Sequence, residues 1–150
     1  RNSHLQWEVN YEPGTLEAVA YKDGKKLTSK VETTTHPVKV IVVADKNSIQ
    51  ADGKDGIVVN VSIVDEKGRD VPNASNMIYF KLTGDAKIIG VGNGDPSSHE
   101  PDKCADGAWQ RSAFNGKCQV IIQSGKAVGD IKLEVRSNGL VSASTSILSK

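Results

Sequence analysis

The chain has 150 residues, and 19 basic against 18 acidic side chains leave a formal charge of +1. That is long enough to bury a real core and too short for a catalytic scaffold such as a (β/α)8 barrel of about 250 residues. The charges are scattered, which excludes the basic footprint of a nucleic-acid binder, and the longest uncharged apolar run, the five residues Val40 to Ala44, falls far below a membrane span.

In chain order the pattern is that of strands. "LQWEVNY" sets Leu5, Trp7, Val9 and Tyr11 on one face and Gln6, Glu8 and Asn10 on the other. "EPGT" and "KDGK" then punctuate two further short segments, and Asp23-Gly24 supplies the positive φ that a two-residue hairpin turn requires. A boundary falls near "THPVK", after residue 36. About three strands precede it, too few to bury much alone. Residues 1–36 are therefore expected to be the closing strands of a preceding β domain.

Beyond the boundary, "IVVNVSIV" turns Ile57, Val59, Val61 and Ile63 inward, and "MIYFKLT" does so with Ile78, Phe80 and Leu82. "DEKGRDVPNASN" is a longer connection, broken by Gly68 and Pro72. Asn115-Gly116 marks a second tight turn. "DIKLEVRS" points Ile131, Leu133 and Val135 inward, and "LVSASTSI" alternates Val141, Ala143, Thr145 and Ile147 with serines. No window carries a useful 3.6-residue period. The expected fold is all-β: an immunoglobulin-like sandwich of about seven strands over 37–150, preceded by a partial sandwich segment. The chain begins at Arg1 rather than Met, which we read as an excised module with no legible targeting segment.

Several of these segments carry a family likeness. "WEVNYEPGTLEAVAYKDGK" (7–25) resembles the closing strands of the immunoglobulin-like domain that follows the catalytic barrel in bacterial family 2 glycoside hydrolases of the β-galactosidase type. "ADKNSIQADGKDGIVVNVSIVDEKGRDVPNASNMIYFKLTG" (44–84), "GVGNGDPSSHEP" (90–101) and "RSAFNGKCQVIIQS" (111–124) are similar to the C-terminal module of those enzymes. That module is itself similar to the repeats of invasin-type bacterial adhesins. The resemblance implies a parent that hydrolyses β-galactosides with retention, using two glutamates on its barrel. It also implies a secreted, periplasmic or cell-surface location, and the other domains or subunits of the parent as partners. None of the barrel is present, so no catalytic residue carries over, and no cofactor is implied. Cys104 and Cys118 depart from the module's pattern.

The chemistry-bearing residues gather in one polar stretch, Gly90 to Cys118. Asp95, Ser97, Ser98 and His99 tempt a hydrolytic reading, but triad members converge from separate segments, and a single loop is poorly placed to orient all three. Turn chemistry at Asp95 before Pro96 is the expectation. A zinc site drawn from His99, Cys104, Cys118 and a carboxylate matches no recurrent ligand spacing. The cysteines leave two readings: a buried free thiol at Cys118, on the same face as Val120 and Ile122, or a Cys104–Cys118 disulfide. Such a bond would close a loop of about 15 residues, worth roughly 3 kcal/mol, and an exported enzyme permits it. The long unstapled loop tips the expectation towards the bond. Trp109 and Phe114, flanked by Arg111 and His99, are either stacking platforms for carbohydrate or rings folded back over one end of the sandwich. A connection of this length is commonly functional or disordered, and its glycines, prolines and aromatics speak for an ordered excursion. Asn93, Asp95, His99, Trp109, Arg111 and Phe114 are therefore expected to form an interface or ligand loop of a non-catalytic accessory module. The rival roles are a carbohydrate-binding module and a stalk repeat of a surface adhesin. The chain shows no internal duplicate of the kind a stalk array would carry.

Overall fold

The structure is a computed structural model that describes residues 4–150, and the chain separates into two compact units between Thr34 and Thr35. The first holds a hairpin of β1 (Thr15–Lys22) and β2 (Lys25–Glu32). Its turn is Asp23-Gly24, with φ of 50° and 73°, and Lys22 pairs with Lys25 across it. The register sets Leu16 opposite Val31 and Ala20 opposite Leu27, so these residues share one face, which is exposed. The expected strand over 5–11 is absent. Leu5, Trp7, Val9 and Tyr11 are 62–79% exposed, and no neighbouring strand pairs with their backbone among the described residues. Alternation alone does not make a strand when no second edge satisfies its amides.

The second unit is a two-layer β-sandwich. Its strands are β3 (Lys39–Ala44), β4 (Ser48–Ile49), β5 (Gly56–Val64), β6 (Met77–Thr83), β7 (Ala86–Gly92), β8 (Gln110–Ser112), β9 (Lys117–Ser124), β10 (Gly129–Arg136) and β11 (Ala143–Ser149). One sheet runs β4-β11-β10-β6-β8 and the other β3-β5-β9-β7. Seven strands are six to nine residues long; the other two, β4 and β8, are edge strands of two and three residues.

The core follows the period of two. In β5, Ile57, Val59, Val61 and Ile63 are buried while Asn60 faces out. Cys118, Val120 and Ile122 of β9 meet them in register. Ile78 and Phe80 of β6, Ile131, Leu133 and Val135 of β10, and Ile147 of β11 fill the opposite layer. Burying each such side chain contributes about 1.5–3 kcal/mol. In β7 the register against β9 shifts between Ile88 and Gly90, so Ile88 and Val91 both point inward and Ile89 is turned out. That is the effect of a bulge. Val141 does not join the inward set of β11. It is 63% exposed and bridges Lys39 outside the strand.

The 65–76 connection is tied by a buried ion pair. Asp65 accepts the Arg69 side chain through Oδ2, from Nη2 at 2.6 Å and Nε at 2.9 Å, while its Oδ1 accepts the backbone N–H groups of Lys67 and Arg69. The N–H of Thr35 also donates to Oδ2 at 3.1 Å. The Arg69 guanidinium, joined by these amides, holds the Asp65 carboxyl well below the usual carboxylate range against the opposing effect of burial. The same connection sends Val71 and Ala74 into the core.

Candidate functional site

The long connection from β7 to β8 is organised around Arg111. This residue lies at the centre of β8 opposite Ile78, on the inward side, and is only 4% exposed. A buried guanidinium needs acceptors, and the loop supplies them. Nη1 donates to the Glu100 carbonyl and to Asp102 Oδ1, both at 2.9 Å, and Nη2 donates to Asn93 Oδ1 at 3.1 Å. Nε makes no hydrogen bond, though Glu100 Oε2 lies 4.0 Å from it.

Each acceptor is fixed in turn. Asn93 Nδ2 donates to the Ser112 carbonyl at 2.9 Å, and its Oδ1 also accepts the Asp95 N–H at 3.0 Å. Glu100 Oε2 accepts the Ser112 N–H at 2.8 Å. Burial pushes the Glu100 carboxyl up, but the Ser112 hydrogen bonding and the Arg111 charge outweigh it, and the net direction is down. The N–H of Val91 donates to the Asp102 carbonyl at 2.9 Å, fastening the loop to β7.

The residues of the tempting hydrolytic set do not act together. Asp95 Oδ1 accepts both the N–H and the hydroxyl of Ser97, at 2.9 and 2.7 Å, which is turn chemistry before and after Pro96. The Ser97 hydroxyl, then Ser97's N–H, hold the Asp95 carboxyl below its ordinary range. The Ser97 hydroxyl thus donates its hydrogen bond to Asp95 rather than to His99, which stands exposed. Among the described residues, no three His, Cys, Asp or Glu side chains come together in a way that could hold a metal ion.

The expected Cys104–Cys118 bond is not formed, and both thiols are free. Cys118 sits on the inward face of β9 opposite Val61 and behaves as a small apolar side chain, with burial pushing its thiol up to about 12. Cys104 is partly buried at the edge of the core, its Sγ 3.7 Å from the Gln110 carbonyl. The loop is stapled by Arg111 instead, which removes the reason for expecting a disulfide.

The two rings part company. Trp109 packs against the core and its carbonyl accepts the N–H of Phe80 at 2.9 Å, continuing the β6–β8 pairing. Phe114 is 38% exposed and flanks the Asn115-Gly116 turn, exchanging two backbone hydrogen bonds with Lys117. Of the six residues expected to form a ligand surface, then, Arg111 and Asn93 face inward to hold the loop, and Trp109 alone lines a sizeable groove. That groove, about 810 Å³, runs over β6, β7, β10 and the 106–110 segment. Tyr79, which lines it too, was absent from the sequence-based site because its partner Arg136 lies 57 residues away.

Comparison with known proteins places this architecture. The model of the glycoside hydrolase family 2 C-terminal domain 5 matches residues 40–146, and that of a domain of unknown function (DUF4982) matches residues 1–28. The chain is 39% identical over 140 residues to the β-galactosidase BoGH2A of Bacteroides ovatus, covering 93% of this chain but 16% of that enzyme. A crystal structure of a glycosyl hydrolase family 2 member from Bacteroides cellulosilyticus superposes with a TM-score of 0.88 at 34% identity, covering 96% of this chain and 18% of that one. A β-glycosidase from Bacteroides vulgatus gives 0.84 at 31%, covering 95% and 18%. The D00-D0 domain of intimin gives 0.54 at 15% identity, covering 93% and 66%, a likeness of fold alone. The chain thus spans less than a fifth of the glycosidases it matches. It belongs to the glycoside hydrolase family 2 C-terminal domain family.

Proposed function

We propose that the chain is a non-catalytic accessory module of a β-galactosidase-type glycoside hydrolase, where it docks and spaces neighbouring domains. The observation that carries this reading is the relation of lengths: 93% of the chain aligns with 16% of a β-galactosidase, within a family defined by its C-terminal position. The internal chemistry agrees. Glycoside hydrolysis needs two carboxyl groups facing across a cleft at a set separation. Here Glu100 and Asp102 are engaged by Arg111, and Asp65 by Arg69. The hairpin of residues 15–32 fits the same account: its exposed face of Leu16, Ala18, Ala20, Leu27 and Val31 suits the closing strands of a sandwich whose other strands precede it in the parent.

The test is made on the parent enzyme, with and without the region equivalent to residues 35–150. Removal is expected to lower the temperature of inactivation while leaving kcat for a nitrophenyl β-galactoside on the remaining folded fraction within about twofold. Turnover of that substrate by the 150-residue chain alone would refute the assignment.

A further inference from the structure

The groove beside Trp109 carries chemistry that a spacer does not require. Its charged lining consists of Lys81, Lys87, Lys132 and Arg136 against Asp106 and Glu134, so cations outnumber carboxylates two to one. Glu134 is already engaged: Lys132 Nζ lies 2.8 Å from Oε1 and Lys81 Nζ 3.9 Å from Oε2. Those contacts hold its carboxyl below the ordinary range.

Arg136 is different. Its guanidinium carbon lies 4.5 Å above the centroid of the Tyr79 ring, and the residue is exposed. No carboxylate pairs with it among the described residues. A guanidinium held over an aromatic face, with no carboxylate partner, loses less freedom on meeting a planar anion than an unsupported side chain would. Around it stand neutral hydrogen-bonding groups: Gln110, in register with Tyr79, and Ser142 and Ser144. On the outward face of the sheet, the Tyr79 ring, a row of neutral polar groups and one free fork for a carboxylate form a combined surface. It fits a hydroxyl-rich ligand bearing an acid group.

We infer that this groove is a binding site for a uronate-bearing saccharide, with Arg136 reading the carboxylate and Gln110 and the serines meeting ring hydroxyls. The inference goes beyond the accessory role and does not depend on it. An acidic peptide would offer the same carboxylate. The saccharide is favoured because most of the uncharged polar lining suits hydroxyl groups, and because the proteins this chain resembles are glycosidases.

The experiment is calorimetric titration of the full chain in about 150 mM salt. The probe is a hexasaccharide of alternating β-linked glucuronate and N-acetylglucosamine. The controls are the same hexasaccharide with its carboxyls reduced to alcohols, and an acetylated Glu-Val alternating octapeptide. Binding of the acidic sugar is expected, weakened at least tenfold by carboxyl reduction and by Arg136→Gln, with Arg136→Lys intermediate. Because Arg136 is exposed, its variants should melt as the parent chain does, and a matched melt is required for each comparison. Absence of binding at millimolar sugar, equal binding of the reduced sugar, an unaffected Arg136→Gln variant, or tighter binding of the peptide would each overturn the proposal. None of these outcomes bears on the stability test above, so the two readings fail separately.

Discussion

Arg111 shows how a charged residue earns a place in the interior of a small sandwich. It is enclosed by groups that come to it from a loop: a carbonyl at Glu100, a carboxylate at Asp102 and an amide oxygen at Asn93. Asp102 itself is largely exposed, with 79% of its side chain accessible, so its attraction to Arg111 is screened and the hydrogen bonds matter more than the charge pairing. Arg111→Ala is expected to cost on the order of 2–3 kcal/mol. The signature in urea unfolding is a lower midpoint, with early protease cleavage between residues 93 and 109. A variant with the wild-type midpoint and an intact loop would contradict the role. Asp65 gives a second prediction, one of pH. Its folded-state pKa is depressed, so its stabilisation is present above the unfolded value and is lost as pH falls through the folded one. Asp65→Asn should therefore lower the melting temperature by several degrees at pH 7. The gap between variant and parent should narrow steadily below about pH 4. A gap constant from pH 7 to 2 would rule the mechanism out.

At the scale of elements, the two tight turns make a controlled pair. Asp23-Gly24 and Asn115-Gly116 adopt nearly the same conformation, with glycine φ of 73° and 74°. A Cβ added at Gly24 meets nothing within 4 Å, whereas one at Gly116 would run into the Val71 carbonyl oxygen. Gly24→Ala should thus cost only the left-handed strain of about 1–2 kcal/mol. Gly116→Ala should cost clearly more, because the backbone of the 65–76 connection must also move. Hydrogen exchange in β1–β2 reads the first, and denaturant unfolding of the sandwich reads the second. Both turns were legible in the sequence, since Asp-Gly and Asn-Gly carry their conformation with them. Their difference in crowding was not, because Val71 is 45 residues from Gly116 and only the packing brings them together.

Across the whole molecule, order is unevenly distributed. The sandwich contains the buried core, while both faces of β1 and nearly all of β2 are exposed. Amide exchange should be slowest in β5, β9 and β10 and approach unprotected rates in residues 4–13, with the hairpin between these limits. Protection of residues 5–11 equal to that of β5 would show that the apolar row Leu5, Trp7, Val9 and Tyr11 finds a partner in solution. The likeness to intimin at 15% identity belongs to this scale as well: it is a property of layered strands and carries no function.

The sequence alone determined the layers. Alternation in β5, β6 and β10 names the buried residues directly, because a pleated strand must send every second side chain to the same face. Only the tertiary structure decided the fate of the polar stretch from 90 to 118. Asn93, Glu100, Asp102 and Arg111 span 19 positions with no period, and whether they face a ligand or one another depends on where the loop returns to the sheet. It returns with Arg111 turned inward, and desolvation then obliges the loop's own acceptors to close around the guanidinium. The same distance in sequence hid the pairing of Arg136 with Tyr79, which exists because β10 and β6 are neighbours in one sheet.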